Sequence, residues 1–287
     1  MKDLKIIFAV FFFSIVLSTN AQTYEPNWKS LDQRPMPKWF NEAKIGIFVH
    51  WGVYAVPAYR PVGNERYASY AEWYQVDVMN KPGAGQHFHN RVYGTDFEYR
   101  QFAPLFKIEL FNPDQWADLF KRAGAKYVVL TSKHHDGYCL WPATNAYSKN
   151  WNSMEVGPKR DLVGELTNAV RKEELKMGLY FSLLEWETPP PSRKKNPYLP
   201  SEKSGKYQIP ADKYIPGHII PQLKELVTNY KPSIIFSDGS WDETSIYWGS
   251  ESFLSWLYNN AANKDEVVVN HRWGKDSHDK HGDFYSI

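Results

Sequence analysis

The chain has 287 residues, enough for one large domain or for one and part of another. Its 34 Lys and Arg face 32 Asp and Glu, a formal charge of +2 with no basic run, so nothing in the charge pattern marks a nucleic-acid surface. Aromatic residues reach 16%, with 12 Trp and 19 Tyr; such rings fill cores, and they also suit interfaces and the stacking of sugars.

At the amino terminus Lys2 and Lys5 precede an apolar run, Ile6 to Leu17, and a polar stretch closing on Ala21. This reads as a signal peptide over residues 1–21, with an apolar part too short for a membrane span. A secreted or periplasmic protein is expected, lysosomal if the source is an animal, and no later segment is apolar enough to cross a bilayer. No cysteine stands at the cut, which argues against a lipid anchor. Cys139 alone cannot form an internal disulfide, so the fold must rest on its core.

After a polar lead-in, Ile45–Val49 has the pattern of a buried strand, with His50 and Trp51 at its carboxyl end. Val53 to Gln101 is rich in Tyr, Gly and Asn without a period and reads as a long loop region with short helices; it carries Glu72-Trp73-Tyr74. Asn112 as cap, Pro113 at the first position and Gln115 signal a helix with an apolar stripe of Trp116, Leu119 and Phe120, stopped by Gly124. A strand at Tyr127–Thr131 delivers Lys133, His134, His135 and Asp136. A helix from Asp161 carries Leu162, Leu166, Ala169 and Val170 on one face. A third strand, Met177–Leu184, holds Tyr180 and ends at Glu185-Trp186-Glu187. Thr188 to Ala211, rich in Pro, Lys and Ser, reads as an exposed loop. Ile219, Leu223, Leu226, Val227 and Tyr230 stripe the next helix, which Pro232 ends by forcing Lys231 out of helical geometry. Ser233–Ser237 is a strand buried on both faces, followed at once by Asp238, Gly239 and Trp241. Ser250 caps a short aromatic helix, and Val267–Asn270 delivers His271, Arg272 and Trp273.

Strand–helix–strand alternation without an internal repeat is the parallel α/β pattern. An open doubly wound sheet fits it, but no Gly-rich phosphate loop follows the first strand. Polar residues instead crowd the ends of all five strands, as in a (β/α)8 barrel that builds its site from strand ends. The expectation is a (β/α)8-like TIM barrel, incomplete at the C-terminus because five strands are not eight. Each polar residue also has a plain structural reading. Asp238 can cap a turn, Lys133 can be a solvated charge, and adjacent histidines on a strand point to opposite sides. Glu185 and Glu187, two apart, share a face if the strand continues. Two chemistries fit the set. His50, His134, His135 and Asp238 can hold a catalytic metal. Alternatively, the histidines and Arg272 grip sugar hydroxyls while Asp238 serves as nucleophile, with aromatics packing on the ring. The aromatic surroundings favour the second.

Three long stretches carry a resemblance: Glu42 to Gly52 (EAKIGIFVHWG), Ala123 to Gly137 (AGAKYVVLTSKHHDG) and Ser237 to Trp241 (SDGSW). Arg160 to Glu165, Gly178 to Ser182 and Val267 to Gly274 add to it. Together, from about Trp28 onward, they resemble the α-L-fucosidases of glycoside hydrolase family 29. The resemblance implies a retaining exo-glycosidase on a (β/α)8-like barrel, with residues 22–287 as catalytic domain, that removes terminal α-L-fucose from glycans. It implies no metal and no cofactor, a fucosylated glycan as partner, and leaves oligomerisation open. It makes Asp238 the nucleophile and His50, His134, His135, Tyr180 and Arg272 the residues that bind fucose hydroxyls or the nucleophile. Glu72 and Trp73 match a loop pair that closes on the sugar, and Trp241 beside Asp238 is expected to contact substrate. The family's acid/base falls beyond Ile287. His271 stands where relatives often carry Asp, a change that bears on the partner of Arg272.

Overall fold

The computed structural model describes residues 23–63, 70–193, 195–200, 203 and 205–286, so the expected leader lies outside the described residues. Five strands, β1 (Gly46–Val49), β2 (Tyr127–Lys133), β3 (Lys176–Ser182), β4 (Ile234–Asp238) and β5 (Val268–Val269), form one sheet in the order β1-β2-β3-β4-β5, every neighbouring pair parallel. Sequential parallel order requires a crossover between each pair, and the helices Pro113–Arg122, Leu162–Lys172, Ile220–Tyr230 and Ser250–Asn260 precede β2, β3, β4 and β5 respectively. Among the described residues no helix is long and apolar enough to cross a membrane.

The helices begin where side chains can accept orphan backbone hydrogens. Asn112 accepts from the Gln115 N–H, and Asp161 from the Gly164 N–H. Their expected stripes are mostly buried: Leu162, Leu166, Ala169 and Val170 on one helix, and Leu223, Leu226, Val227 and Tyr230 on another. Each leucine hidden this way stabilises by about 1.5–3 kcal/mol. Leu119 departs from the pattern: it is 52% exposed, and Ala117 with Phe120 makes the contact instead. Lys231 leaves the helix as expected, in a left-handed conformation at φ 48°. Ser250 does not cap. It lies inside its helix and donates to the Trp273 carbonyl, because Gly249 takes the preceding left-handed position.

Strand periodicity sorts the sheet into two faces. Val128, Leu130, Met177, Leu179, Phe181, Ile235 and Val269 join the large core under the helices. Val129, Tyr180, Ile234 and Val268 form a smaller cluster on the other face, where Met36, Trp39, Phe40, Phe236 and Phe284 pack on them. The expected buried pattern fails at β1. This strand pairs only with β2 in the described sheet, and its Phe48 is 40% exposed. The segment from Thr188 to Ala211 is also less exposed than its composition suggests, since Thr188, Leu199 and Ile209 are buried anchors.

Candidate active site

The carboxyl ends of the strands converge on Asp238. Ile234, Phe236 and Asp238 alternate onto the face of the smaller cluster, and by the same alternation Gly178, Tyr180 and Ser182 of β3 lie beside them in register. The Tyr180 hydroxyl donates to Asp238 Oδ2 at 2.8 Å, and Arg272 Nη1 donates to Oδ1 at 3.0 Å. His135 Nε2 lies 3.7 Å from Oδ2. Gly239 follows at φ +74°, and a Cβ there would stand 2.6 Å from Leu184 Cβ, so only glycine lets the chain turn away from the carboxylate here. Asn270 clamps the ends of β4 and β5. Its Oδ1 accepts from the Ser237 N–H and its Nδ2 donates to the Ser237 carbonyl, which sets Arg272 opposite Asp238. Arg272 Nε donates to Ser286 Oγ, its second polar partner after Asp238, and His271 Nε2 lies 3.2 Å from the same hydroxyl.

The histidines gather on one side of this carboxylate. A register shift in β2 between Thr131 and Lys133 re-aims the strand just before His134. His134 stacks parallel to Tyr180 with centroids 5.6 Å apart, and its ring lies 4.2 Å from that of His135. Adjacent positions therefore reach the same pocket, because the strand has ended and a turn begins. His50 meets Tyr180 and His134 edge-on, at 5.1 and 5.7 Å. Trp73 and Trp241 approach His135 at 5.6 and 5.4 Å, also edge-on. Trp186, fully buried, backs both His134 and His135. Glu72 shares the short helical turn Ala71–Trp73 with Trp73, and its carboxyl is half-buried.

Burial decides the protonation states. It lowers His50 and His134, and it lowers His135 to about 4 against the pull of Asp238, so all three rings are neutral at neutral pH. Burial alone would raise Asp238. The His135 ring, the Arg272 charge and the Tyr180 hydrogen bond outweigh it and hold the carboxyl below its usual range. Burial and the neighbouring carboxylate raise Tyr180, which stays a donor. Burial likewise raises Glu72, partly offset by a backbone hydrogen bond and by Arg60. The site is an ionised carboxylate with two dedicated donors, enclosed by neutral imidazoles and indoles.

Two sequence expectations are corrected here. Lys133 is not solvated: it is fully buried, with Nζ 2.5 Å from Glu185 Oε1 and 3.0 Å from Gln222 Oε1. Glu185 and Glu187 do not share a face, because β3 ends at Ser182. Glu185 turns to Lys133 and to His218 Nε2 at 2.7 Å, whereas Glu187 pairs with Arg100. Against the cost of burial, the His218 and Lys133 charges hold Glu185 well below the usual carboxylate range. A committed anion of this kind cannot donate a proton. Among the described residues, no three His, Cys, Asp or Glu are grouped to hold one metal ion.

Asp136 braces the pocket from behind. Its Oδ2 accepts from the Tyr99 hydroxyl at 2.7 Å and its Oδ1 from the Tyr138 N–H at 3.0 Å. Burial outweighs these bonds and raises it from 3.8 to about 6. A carboxyl with a raised folded pKa weakens the fold once ionised. Its favourable share of stability is full below pH 3.8 and is lost as pH rises through about 6. Asp136→Asn keeps an acceptor and removes the charge. It is expected to raise stability at pH 7 by on the order of 1–3 kcal/mol and to flatten the profile over that window. Urea melts of both proteins at several pH values check this, and parallel profiles would contradict it.

Known proteins share this arrangement of sequence and fold. The family model described as alpha-L-fucosidase matches residues 11–287. The tissue alpha-L-fucosidase of Bos taurus is 47% identical over 268 residues, covering 93% of this chain and 53% of the relative. The alpha-L-fucosidase of Dictyostelium discoideum is 43% identical over 281 residues, covering 96% of this chain and 58% of the relative. The chain spans about half the length of the curated relatives it matches. A solved structure of Thermotoga maritima alpha-fucosidase in complex with fucose aligns at a TM-score of 0.72 and 38% identity, over 92% of this chain and 59% of that one. On the family match and on these relatives together, the chain belongs to the alpha-L-fucosidase family.

Proposed function

We propose that the protein is a retaining exo-α-L-fucosidase that removes terminal fucose from glycans, with Asp238 as nucleophile. The observation that carries this reading is the Asp238 carboxylate itself: ionised, nearly buried, and fixed by Tyr180 and Arg272 at the end of a parallel strand. A fixed carboxylate can attack an anomeric carbon without first reorganising. One Asp238 oxygen forms a bond to that carbon as the bond to the leaving oxygen breaks, giving a glycosyl ester. Water then attacks the same carbon and releases Asp238, and two inversions restore the original configuration. The hydrogen bonds from Arg272 and Tyr180 stabilise the carboxylate, which makes it a good leaving group in the second step.

His50, His134 and His135 would meet sugar hydroxyls, Trp73 and Trp241 would wall the ring, and Glu72 would close over it from the Ala71–Trp73 turn. The leaving oxygen needs a proton, which neither Glu185, held by Lys133 and His218, nor Glu187, held by Arg100, is placed to give. Sequential parallel strands with the site at their carboxyl ends support a barrel of the (β/α)8 kind, with residues 22–287 in the catalytic domain. The charged and apolar start of the chain supports export.

The test is hydrolysis of an aryl α-L-fucoside by the full-length protein, followed by proton NMR of the first-formed sugar. The α-anomer is expected first; β-fucose appearing first would contradict the retaining route. Exhaustive chelation is expected to leave this turnover unchanged. Loss on chelation and recovery with zinc would favour the metal-hydrolase chemistry instead.

A further inference from the structure

Two hydroxyl groups fix which nitrogen of two site histidines is left bare. Ser182 is the register partner of Asp238 on β3, and its Oγ lies 2.5 Å from both the Leu184 carbonyl and His135 Nδ1. A hydroxyl has one hydrogen to give and a carbonyl oxygen has none. If Ser182 gave its hydrogen to the imidazole, two oxygens would face each other at 2.5 Å with nothing between them. The hydrogen therefore goes to Leu184, and His135 Nδ1 carries its own and donates it to Ser182.

The device occurs a second time. Thr131 Oγ1 donates to the Val49 carbonyl at 2.9 Å and lies 3.2 Å from His50 Nδ1. Its single hydrogen is again committed to backbone, so His50 must be the donor at Nδ1. Both rings are neutral, His135 buried and His50 exposed, which leaves Nε2 of each as a lone-pair acceptor. On His135 that atom faces Asp238 Oδ2, which already accepts from Tyr180. No hydrogen lies between these two acceptors, and a ligand hydroxyl can supply one.

We propose that Thr131 and Ser182 are positioning residues, each locking a site histidine in the Nδ1–H form so that His50 and His135 present bare Nε2 atoms to sugar hydroxyls. This deepens the fucosidase reading and rests on it for the identity of the sugar. A pocket built this way takes hydroxyls as donors and disfavours ligands in which an acceptor-only group, such as fluorine, replaces the hydroxyl that meets Nε2.

The test begins without a variant. The full-length protein, labelled with nitrogen-15 histidine and free of ligand, is expected to show His50 and His135 protonated at Nδ1 and bare at Nε2, each signal assigned by its loss in His50→Gln or His135→Gln. Ser182→Ala and Thr131→Val are then expected to shift the corresponding ring toward the Nε2–H form while the melting transition stays cooperative. Each should weaken fucose binding by about tenfold, the value of one well-placed hydrogen bond, and raise KM more than it lowers kcat. An Nε2–H ring at either position in the wild-type protein overturns the proposal, as do variants with unchanged tautomers and unchanged fucose affinity. If a variant does not fold, the wild-type tautomers decide. The two readings fail separately: an active fucosidase with Nε2–H rings overturns only the tautomer lock, and a protein that neither binds fucose nor cleaves a fucoside overturns the function whatever its tautomers.

Discussion

Asp238→Gly is expected to abolish nearly all fucoside turnover, by on the order of 10³-fold or more, and to leave the fold intact. The conservation of structure follows from the site's construction. Asp238 ends β4 and its side chain faces the pocket, while the turn behind it is set by Gly239 and by the Asn270 clamp, neither of which needs the carboxylate. Removing it leaves Arg272 and Tyr180 with one partner fewer, though Arg272 retains Ser286. Azide, an external nucleophile that fits the vacated space, is expected to restore part of the rate. Steady-state kinetics with an activated aryl fucoside measures both effects, and undiminished turnover in the glycine variant would remove Asp238 from the mechanism.

The largest expected effect on stability lies one layer behind the site. Glu185→Gln leaves the Lys133 ammonium buried with only neutral amide oxygens to meet it, that of Gln222 and that of the introduced side chain. Breaking a buried charge pair from one side typically costs about 3–5 kcal/mol. For a domain of this size that lowers Tm by roughly 6–20 °C. The loss comes from the stranded charge, so adding Lys133→Met should return much of it. The sign with pH follows from the depressed Glu185 carboxyl. Its contribution is present above the ordinary value of 4.5 and is lost only as pH falls toward the lower folded value. Denaturant melts of the wild-type, single and double variants decide it. A single variant within about 1 kcal/mol of wild type, the range of an exposed ion pair, would mean that the buried pair does not hold opposite charges. Turnover should fall in the single variant too, because Lys133 precedes His134 and the Trp186 N–H, next to Glu185, donates to the His135 carbonyl.

Much of the frame was legible in the sequence, and the reason is locality. Apolar runs closing on polar residues marked all five strands, and Asn112 and Asp161 announced the helices that they do cap. Asp238 and the histidines drew notice because polar groups at strand ends are conspicuous. What escaped was set by register between strands. Tyr180 in the middle of β3 looks like a core ring until its pairing places it within reach of Asp238, two strand positions on and one strand over. Family resemblance, not spacing, had singled it out. Thr131, Ser182 and Asn270 are small polar residues in or beside strands, with no local signature at all. Their roles exist only once Val49, His135 and Ser237 are brought opposite them. Lys133 failed for a related reason: a lysine at a strand end is usually solvated, and only the return of Glu185 and Gln222 over it makes burial tolerable. At β1 the apolar pattern alone could not tell a central strand from one paired on a single side.

The central claim is that the Asp238 carboxylate becomes covalently joined to the sugar. A fucosyl fluoride carrying fluorine in place of the hydroxyl beside the anomeric carbon slows the second step more than the first, so the glycosyl ester accumulates. The full-length protein, incubated with this reagent, digested and mapped by mass spectrometry, should carry one fucosyl group on the peptide that contains Asp238, with inactivation in step with labelling. Stoichiometric labelling at any other residue, or inactivation of Asp238→Gly at the wild-type rate, would contradict the account.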